Sequence, residues 1–194
     1  MDVLALAVYT FAMSITPGPN NVMLTASGAN FGFRRTLPHM LGITFGFALQ
    51  AVVVSLGLGA VFAQVPHLQQ VLAWVGAAYL CWMGWRLLGA GAVGEGRSAR
   101  PLTAWEAAAF QFVNPKAWVI ALTVGLVFKP PAEALALAAA VMFGVLVTVN
   151  FPCIVVWAAA GSAMRRWLEV PRRRRIFNTV MAFLLVACAV MMVG

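Results

Sequence analysis

Apolar residues fill this chain in six long runs, and the polar residues between them come in short clusters. A helix that crosses a bilayer needs about 20 predominantly apolar residues, and each run meets or approaches that length. The first extends from Val3 to about Ala29, the second from about Leu37 to Ala63 and the third from Val71 to Leu88. The fourth is Trp105–Phe128, the fifth goes from Ala132 to about Met164, and the sixth from about Ile176 to Val193. Glycines 42, 46, 57 and 59 of the second run offer small faces on which membrane helices approach closely. Trp74, Tyr79, Trp82 and Trp85 of the third suit an interfacial belt, or packing where the helical spacing turns them inward.

Two runs are interrupted. Thr16-Pro17-Gly18-Pro19-Asn20-Asn21 breaks the first and Asn114-Pro115-Lys116 breaks the fourth. Proline gives no backbone N–H and clashes with the preceding turn, and glycine weakens a helix further. In a bilayer the freed carbonyls need partners from protein or a water-filled cavity. Such a break is either a kink that shapes packing or part of a binding site built on discontinuous helices. Pro17 and Pro115 stand 98 positions apart, and the same offset sets the fifth run against the second and the sixth roughly against the third. The expectation is an all-α membrane protein of six transmembrane helices in two inverted three-helix repeats. The halves cover about residues 1–88 and 105–194 of a single transporter domain, with residues 89–104 as a Gly-rich linker. Lys129-Pro130-Pro131 ends the fourth run, and a short link holding Pro66 and His67 ends the second.

Composition agrees with the pattern: 63% of the 194 residues are hydrophobic, 9% are charged, and the mean hydropathy is +0.92. The residues ahead of the first run, Met1 and Asp2, form no basic leader, so that run is expected to stay in the mature protein. The net charge of +8 comes from clusters beside apolar runs, without the aromatic interleaving of single-strand binders, so nucleic acid is not expected. Arg172 to Arg175 face anionic lipid headgroups more naturally. Eleven of the thirteen Lys and Arg residues lie in or beside the first, third and fifth connections. Positive residues stay cytoplasmic, which puts Asn30–Pro38, Gly89–Thr103 and Arg165–Arg175 inside and both termini outside the inner membrane. Cys81, Cys153 and Cys188 stand alone in apolar surroundings, as core-filling residues rather than a disulfide or metal set. The chain lacks a Ser/His/Asp arrangement, a phosphate-binding glycine loop and an HExxH motif, which disfavours an enzyme, and nothing in it calls for a cofactor.

Lys116 is the formal charge deepest in any run. An ionisable group at that depth costs at least ~2.5 kcal/mol and marks a functional position, unless its stem snorkels to an interface. It suits a substrate carboxylate, as does the start of the half-helix near Asn20, where unpaired N–H groups favour anions. Asn20, Asn21, Asn114 and Asn150 can each donate and accept, which suits a zwitterion; the alternative is glue between helices. Glu106, at the membrane boundary, is read as solvated, and His39 and His67 as loop residues at segment edges.

The strings Thr16-Pro17-Gly18-Pro19-Asn20-Asn21, Gly32-Phe33-Arg34, Gly42 with Gly46, and Asn114-Pro115-Lys116 together resemble the LysE/RhtB family of small amino-acid exporters. With Trp74-Val75-Gly76-Ala77-Ala78-Tyr79 and Gln111-Phe112-Val113-Asn114, they look most like its cysteine/O-acetylserine branch. The resemblance implies efflux of a small amino acid driven by the proton gradient. It places the family's motif residues at Pro17, Gly18, Pro19, Asn20, Asn114, Pro115 and Lys116; Asn21 and Asn150 join them as binding candidates on the residue argument alone. Within transporters the alternative is a homoserine/threonine-type or other neutral-amino-acid exporter. Outside them the alternatives are a thiol-redox carrier, which would want paired cysteines, and a non-transporting scaffold. A cation exporter would want mid-membrane carboxylate, His or Cys ligands. A homodimer is left open.

Overall fold

Helix ends in this chain fall where proline, glycine and capping side chains put them. The computed structural model describes residues 1–58, 65–89, 100–128 and 134–193. Eight α-helices lie among them: α1 (Val3–Ile15), α2 (Pro19–Phe31), α3 (Phe33–Val53), α4 (Pro66–Leu88), α5 (Ala104–Gln111), α6 (Pro115–Val127), α7 (Leu135–Ala163) and α8 (Pro171–Val193). Asp2 caps α1 by accepting from Ala5 N at 3.0 Å. Thr103 and Glu106 form a reciprocal capping box on α5. Prolines 19, 66 and 115 open α2, α4 and α6, at the position where a missing N–H costs least.

Four stretches are long and apolar enough to cross a bilayer: Phe33–Gly57, Gln70–Leu88, Leu135–Ala163 and Pro171–Val193. Helices α5 and α6 qualify together as a fifth, bent by 65° at the Asn114-Pro115 break. The first run is likewise broken where the Pro-Gly-Pro motif stands, into α1 and α2 of 13 residues each. Helices begin well before the apolar runs do. Only Gly32, at φ 85°, separates α2 from α3, so Arg34 and Arg35 belong to the first turn of α3 rather than to a loop. Arg172 to Arg175 similarly open α8, behind a short turn at Trp167–Glu169. Hydropathy marks the depth of lipid; a helix continues into the headgroup zone as long as its charges reach water. The stop at Lys129-Pro130-Pro131, Gly59, and most of the 89–104 linker lie outside the described residues.

Helix α4 lies along α8, α1 and α2 lie along α7, and α3 lies against α5, α6 and α7. Small residues set the closest crossings. A Cβ added at Gly28 would run into the Ala158 carbonyl, and one at Gly161 into the Thr25 carbonyl, so α2 and α7 meet backbone to backbone. Gly42 and Gly46 of α3 press in the same way on Ala104 and Ala108 of α5. Leu6, Phe47, Ala51, Trp118, Val124 and Met142 form one apolar core beside the breaks; Met23, Leu80, Phe110 and Leu185 form another. Trp85, Leu126, Phe183 and Met191 are exposed, as lipid-facing side chains must be. Cys81 is exposed too, contrary to its expected core role, while Cys153 is buried and Cys188 partly so.

The glycine crossings give a direct test. Gly28→Ala and Gly161→Ala should each destabilise the detergent-solubilised protein by about 1–3 kcal/mol through overpacking. Gly144→Ala, whose Cβ meets nothing within 4 Å, should stay within about 0.5 kcal/mol of the parent. Thermal unfolding of the three variants checks this, and equal midpoints would show that the α2–α7 crossing yields freely.

Candidate functional site

The break between α1 and α2 leaves carbonyls at the end of α1 without helical partners, and side chains from three helices take them up. Asn21 Nδ2 donates to Ser14 O at 2.9 Å and Thr16 O at 2.7 Å, bridging the break from within. Trp157 of α7 donates its indole N–H to Ile15 O at 3.2 Å. Lys116 Nζ, from the start of α6, donates to Thr16 O at 3.1 Å, Thr16 Oγ1 at 2.9 Å and Pro17 O at 3.0 Å. An ammonium has three protons, so each is engaged. The positive charge sits at the negative end of the α1 dipole, and its stem passes over Gly18, where a Cβ would come within 3.0 Å of Lys116 Cδ.

The second break is built in a related way. Asn114 is the N-cap of α6 and accepts from Lys116 N at 3.1 Å through Oδ1. Trp118 Nε1 donates to Phe112 O at 2.8 Å. The two breaks are tied together by Asn20 and Gln111: Asn20 Nδ2 donates to Gln111 Oε1 at 2.8 Å, and Gln111 Nε2 to Asn20 Oδ1 at 3.4 Å. Gln111 also donates to Ala107 O at 2.8 Å. From α7, Asn150 Nδ2 reaches Ser14 Oγ at 2.9 Å, and Thr44 of α3 donates to Asn150 Oδ1 at 3.2 Å.

These groups line a cavity of about 40 Å³. Gly18, Pro19, Asn20, Asn21, Asn114, Lys116 and Asn150 all line it. Of the residues singled out in the sequence, Pro17 reaches the site through its carbonyl on Lys116, and Pro115 by starting α6. Apolar walls come from Met13, Ile43, Phe47, Ile120 and Ile154. Asn21 is 4% exposed, and its Oδ1 has no hydrogen-bond partner among the described residues. That leaves one acceptor free at the cavity wall.

Sequence reasoning passed over Gln111, Ser14 and Trp157. Ser14 and Trp157 carry no local signal, since their roles exist only across the α1–α7 contact. Gln111 had one: an amide three residues before Asn114, at the very end of a short apolar helix. His39 was misplaced. It lies inside α3 and is buried, because α3 begins at Phe33 and turns that face inward.

An all-helical membrane body with a polar cavity at two helix breaks defines a membrane transporter rather than an enzyme. The chain belongs to the LysE family: residues 11–194 match the LysE type translocator. Among curated proteins it is similar to the cysteine/O-acetylserine efflux proteins of Escherichia coli strain K12, Escherichia coli O9:H4 strain HS and Shigella sonnei strain Ss046. Each is 32% identical over 188 residues, covering 94% of this chain and 92% of the relative. No solved structure matches.

The amide pair across the breaks should behave as one unit. Asn20→Ala and Gln111→Ala are each expected to destabilise the protein, and the double variant to cost less than the sum by about 0.5–3 kcal/mol. A double-mutant cycle on unfolding in detergent measures it; strict additivity would mean that the pair contributes nothing of its own.

Proposed function

We propose that this chain exports a small neutral amino acid of the cysteine/O-acetylserine kind from the cytoplasm, in exchange for protons. The observation that carries the reading is the meeting of both helix breaks at one cavity, with Lys116 reaching across. The relatives named above support the substrate class. At about 40 Å³ the cavity is far smaller than the roughly 150 Å³ that holds a benzene, so the packing described has no room for an amino acid. To admit an amino acid, α6 must move away from the α1–α2 break. A substrate carboxylate then offers Lys116 a full negative charge in place of two neutral carbonyls and a hydroxyl, and charge-assisted bonds are roughly twice as strong. Asn21 Oδ1 is the acceptor left for the substrate's ammonium group, with Ser14 and Asn150 beside it. Asn20, Gln111 and Asn114 complete a lining in which no carboxylate takes part, which suits a zwitterion with no net charge.

Six spans complete the reading, with α1–α2 and α5–α6 each counted as one broken span. The packing supports pairing the two halves. Helices α1 and α2 rest on α7, and α5 and α6, their counterparts in this reading, rest on α3. Three spans per half make the halves opposite in orientation, as in an inverted-repeat transporter. The basic residues around Arg34, Arg86, Arg100, Arg165 and Arg172 then share the cytoplasmic side, and both termini face out.

Export into or out of inverted membrane vesicles, assayed with O-acetylserine, cysteine, homoserine and threonine, tests the reading. Proton-driven uptake of O-acetylserine or cysteine is expected; no transport of any of the four would sink it. Lys116→Ala and Asn114→Ala should each lower the rate roughly tenfold or more with membrane insertion near normal, and Asn20→Ala should raise the half-saturating concentration about tenfold to a hundredfold. A Lys116→Ala variant with parental kinetics would reduce the lysine to a brace between helices. Orientation has its own check: Ser98→Cys, outside the described residues, in a cysteine-free background should resist impermeant thiol reagents in sealed cells. Labelling from outside would invert the topology.

A further inference from the structure

His39 is 1% exposed, and neither ring nitrogen has a hydrogen-bond partner among the described residues. A neutral imidazole carries one donor and one acceptor, and leaving such groups unpaired in a protein interior is unfavourable. Buried polar groups are almost always paired, so this ring calls for an explanation. Its position supplies one. His39, Ile43 and Phe47 follow one another at four-residue spacing, which places them on one face of α3; Ile43 and Phe47 line the cavity. The ring therefore lies one turn beyond the cavity wall, toward the start of α3. One turn further, Thr36 is buried and bonded to Ser27 at 2.9 Å and to Gly32 O at 3.0 Å. Beside the ring in sequence, Met40 and Ile43 pack with Leu24, Ala107, Ile154 and Ala158 into a buried apolar cluster.

Ionisable groups around it are few. Helix α2 carries none, α6 carries Lys116, which is engaged at the first break, and α7 carries Cys153, whose thiol donates to Val149 O. On α3 itself Arg34 and Arg35 are exposed. Helix α5 carries Glu106, whose carboxylate is already held by Arg100 at 2.6 Å and by Thr103.

We propose that His39 is the proton-binding site of the transport cycle, and that closure around substrate and protonation of His39 exclude one another. The inference rests on the exporter reading above. An imidazolium has two N–H donors and a charge to satisfy, and the described residues offer its nitrogens no acceptor. Burying it so would cost far more than burying the neutral ring. When the carrier is open, water reaches the ring and a proton can sit on it. When α3 and α5 pack together beside a bound amino acid, with α6 drawn back to make room for it, that proton leaves a ring nitrogen for bulk water, and the neutral imidazole is sealed in. On the way back the proton-loaded carrier passes through a different packing. Substrate and proton thus compete for one carrier by linkage, as exchange transport requires.

Full-length protein in weakly buffered detergent at about pH 6.5, where a solvated imidazole is half protonated, is titrated with O-acetylserine while an indicator counts protons. Binding should release up to about one proton per substrate bound, and His39→Gln should cut that ratio about fivefold or more. The exposed His67 is the other histidine of the chain, and His67→Gln should leave the ratio as in the parent. If His39→Gln does not fold, ring NMR of the His67→Gln protein reads the same event on the remaining imidazole, whose protonation should change on adding O-acetylserine. Undiminished release from His39→Gln, or a ring indifferent to substrate, would overturn the proposal while the exporter reading stood. Wild-type protein that neither binds nor transports O-acetylserine or cysteine would remove the exporter reading, and the coupling with it.

Discussion

Backbone carbonyls set free inside a membrane must find donors, and the α1–α2 break turns that requirement into architecture. Pro17, Gly18 and Pro19 end α1 and leave the carbonyls of Ser14, Ile15, Thr16 and Pro17 without helical N–H groups. Water is not at hand in the hydrocarbon region, where each unpaired group costs several kcal/mol. Asn21, Trp157 and Lys116 supply the donors, from α2, α7 and α6 respectively. Three separate helices are thereby fastened to one short stretch of backbone. The same groups line the cavity, so the bonds that hold the break together are those a ligand would have to replace.

That arrangement explains why the polar residues here are amides, hydroxyls and one lysine. An amide satisfies a carbonyl without bringing a charge to be desolvated, and Asn21 does so twice with one nitrogen. The lysine is tolerated because its charge meets a helix C-terminus and all its protons are taken. A carboxylate in its place would face the same carbonyls with the wrong sign. Asn21 Oδ1 and the ring of His39 are among the few buried polar groups without a partner among the described residues, with Thr10 Oγ1 and the Gln50 amide. Asn21 and His39 lie on or next to the cavity faces of their helices.

Around the polar centre the body is assembled through small residues rather than through an aqueous hydrophobic effect, since lipid tails are as apolar as leucine. Gly28 with Ala158 and Gly161 with Thr25 bring α2 onto α7, and Gly42 and Gly46 bring α5 onto α3. Those two crossings place Asn20 opposite Gln111 and Trp157 beside Ile15. Change in the crossings would move the donors away from the carbonyls, which is how packing at a distance sets the geometry of the site.

Much of this was legible in the sequence because its signals are local. Long apolar runs demand helices in lipid, proline forbids a continuous ladder at Pro17, Pro19 and Pro115, and a lysine in mid-run must be compensated. Those facts located both breaks and seven of the residues that line the cavity. Helix boundaries were less legible: Arg34, Arg35 and Arg172 to Arg175 were read as connections, although charged residues continue a helix perfectly well once they reach the headgroups. The pairings belonged to the tertiary structure alone. Whether Lys116 meets a carbonyl, whether Asn20 finds Gln111, and which way His39 turns depend on how α3, α5, α6 and α7 cross. Those crossings are set by the shapes of small residues far apart in the chain, and no local pattern encodes them.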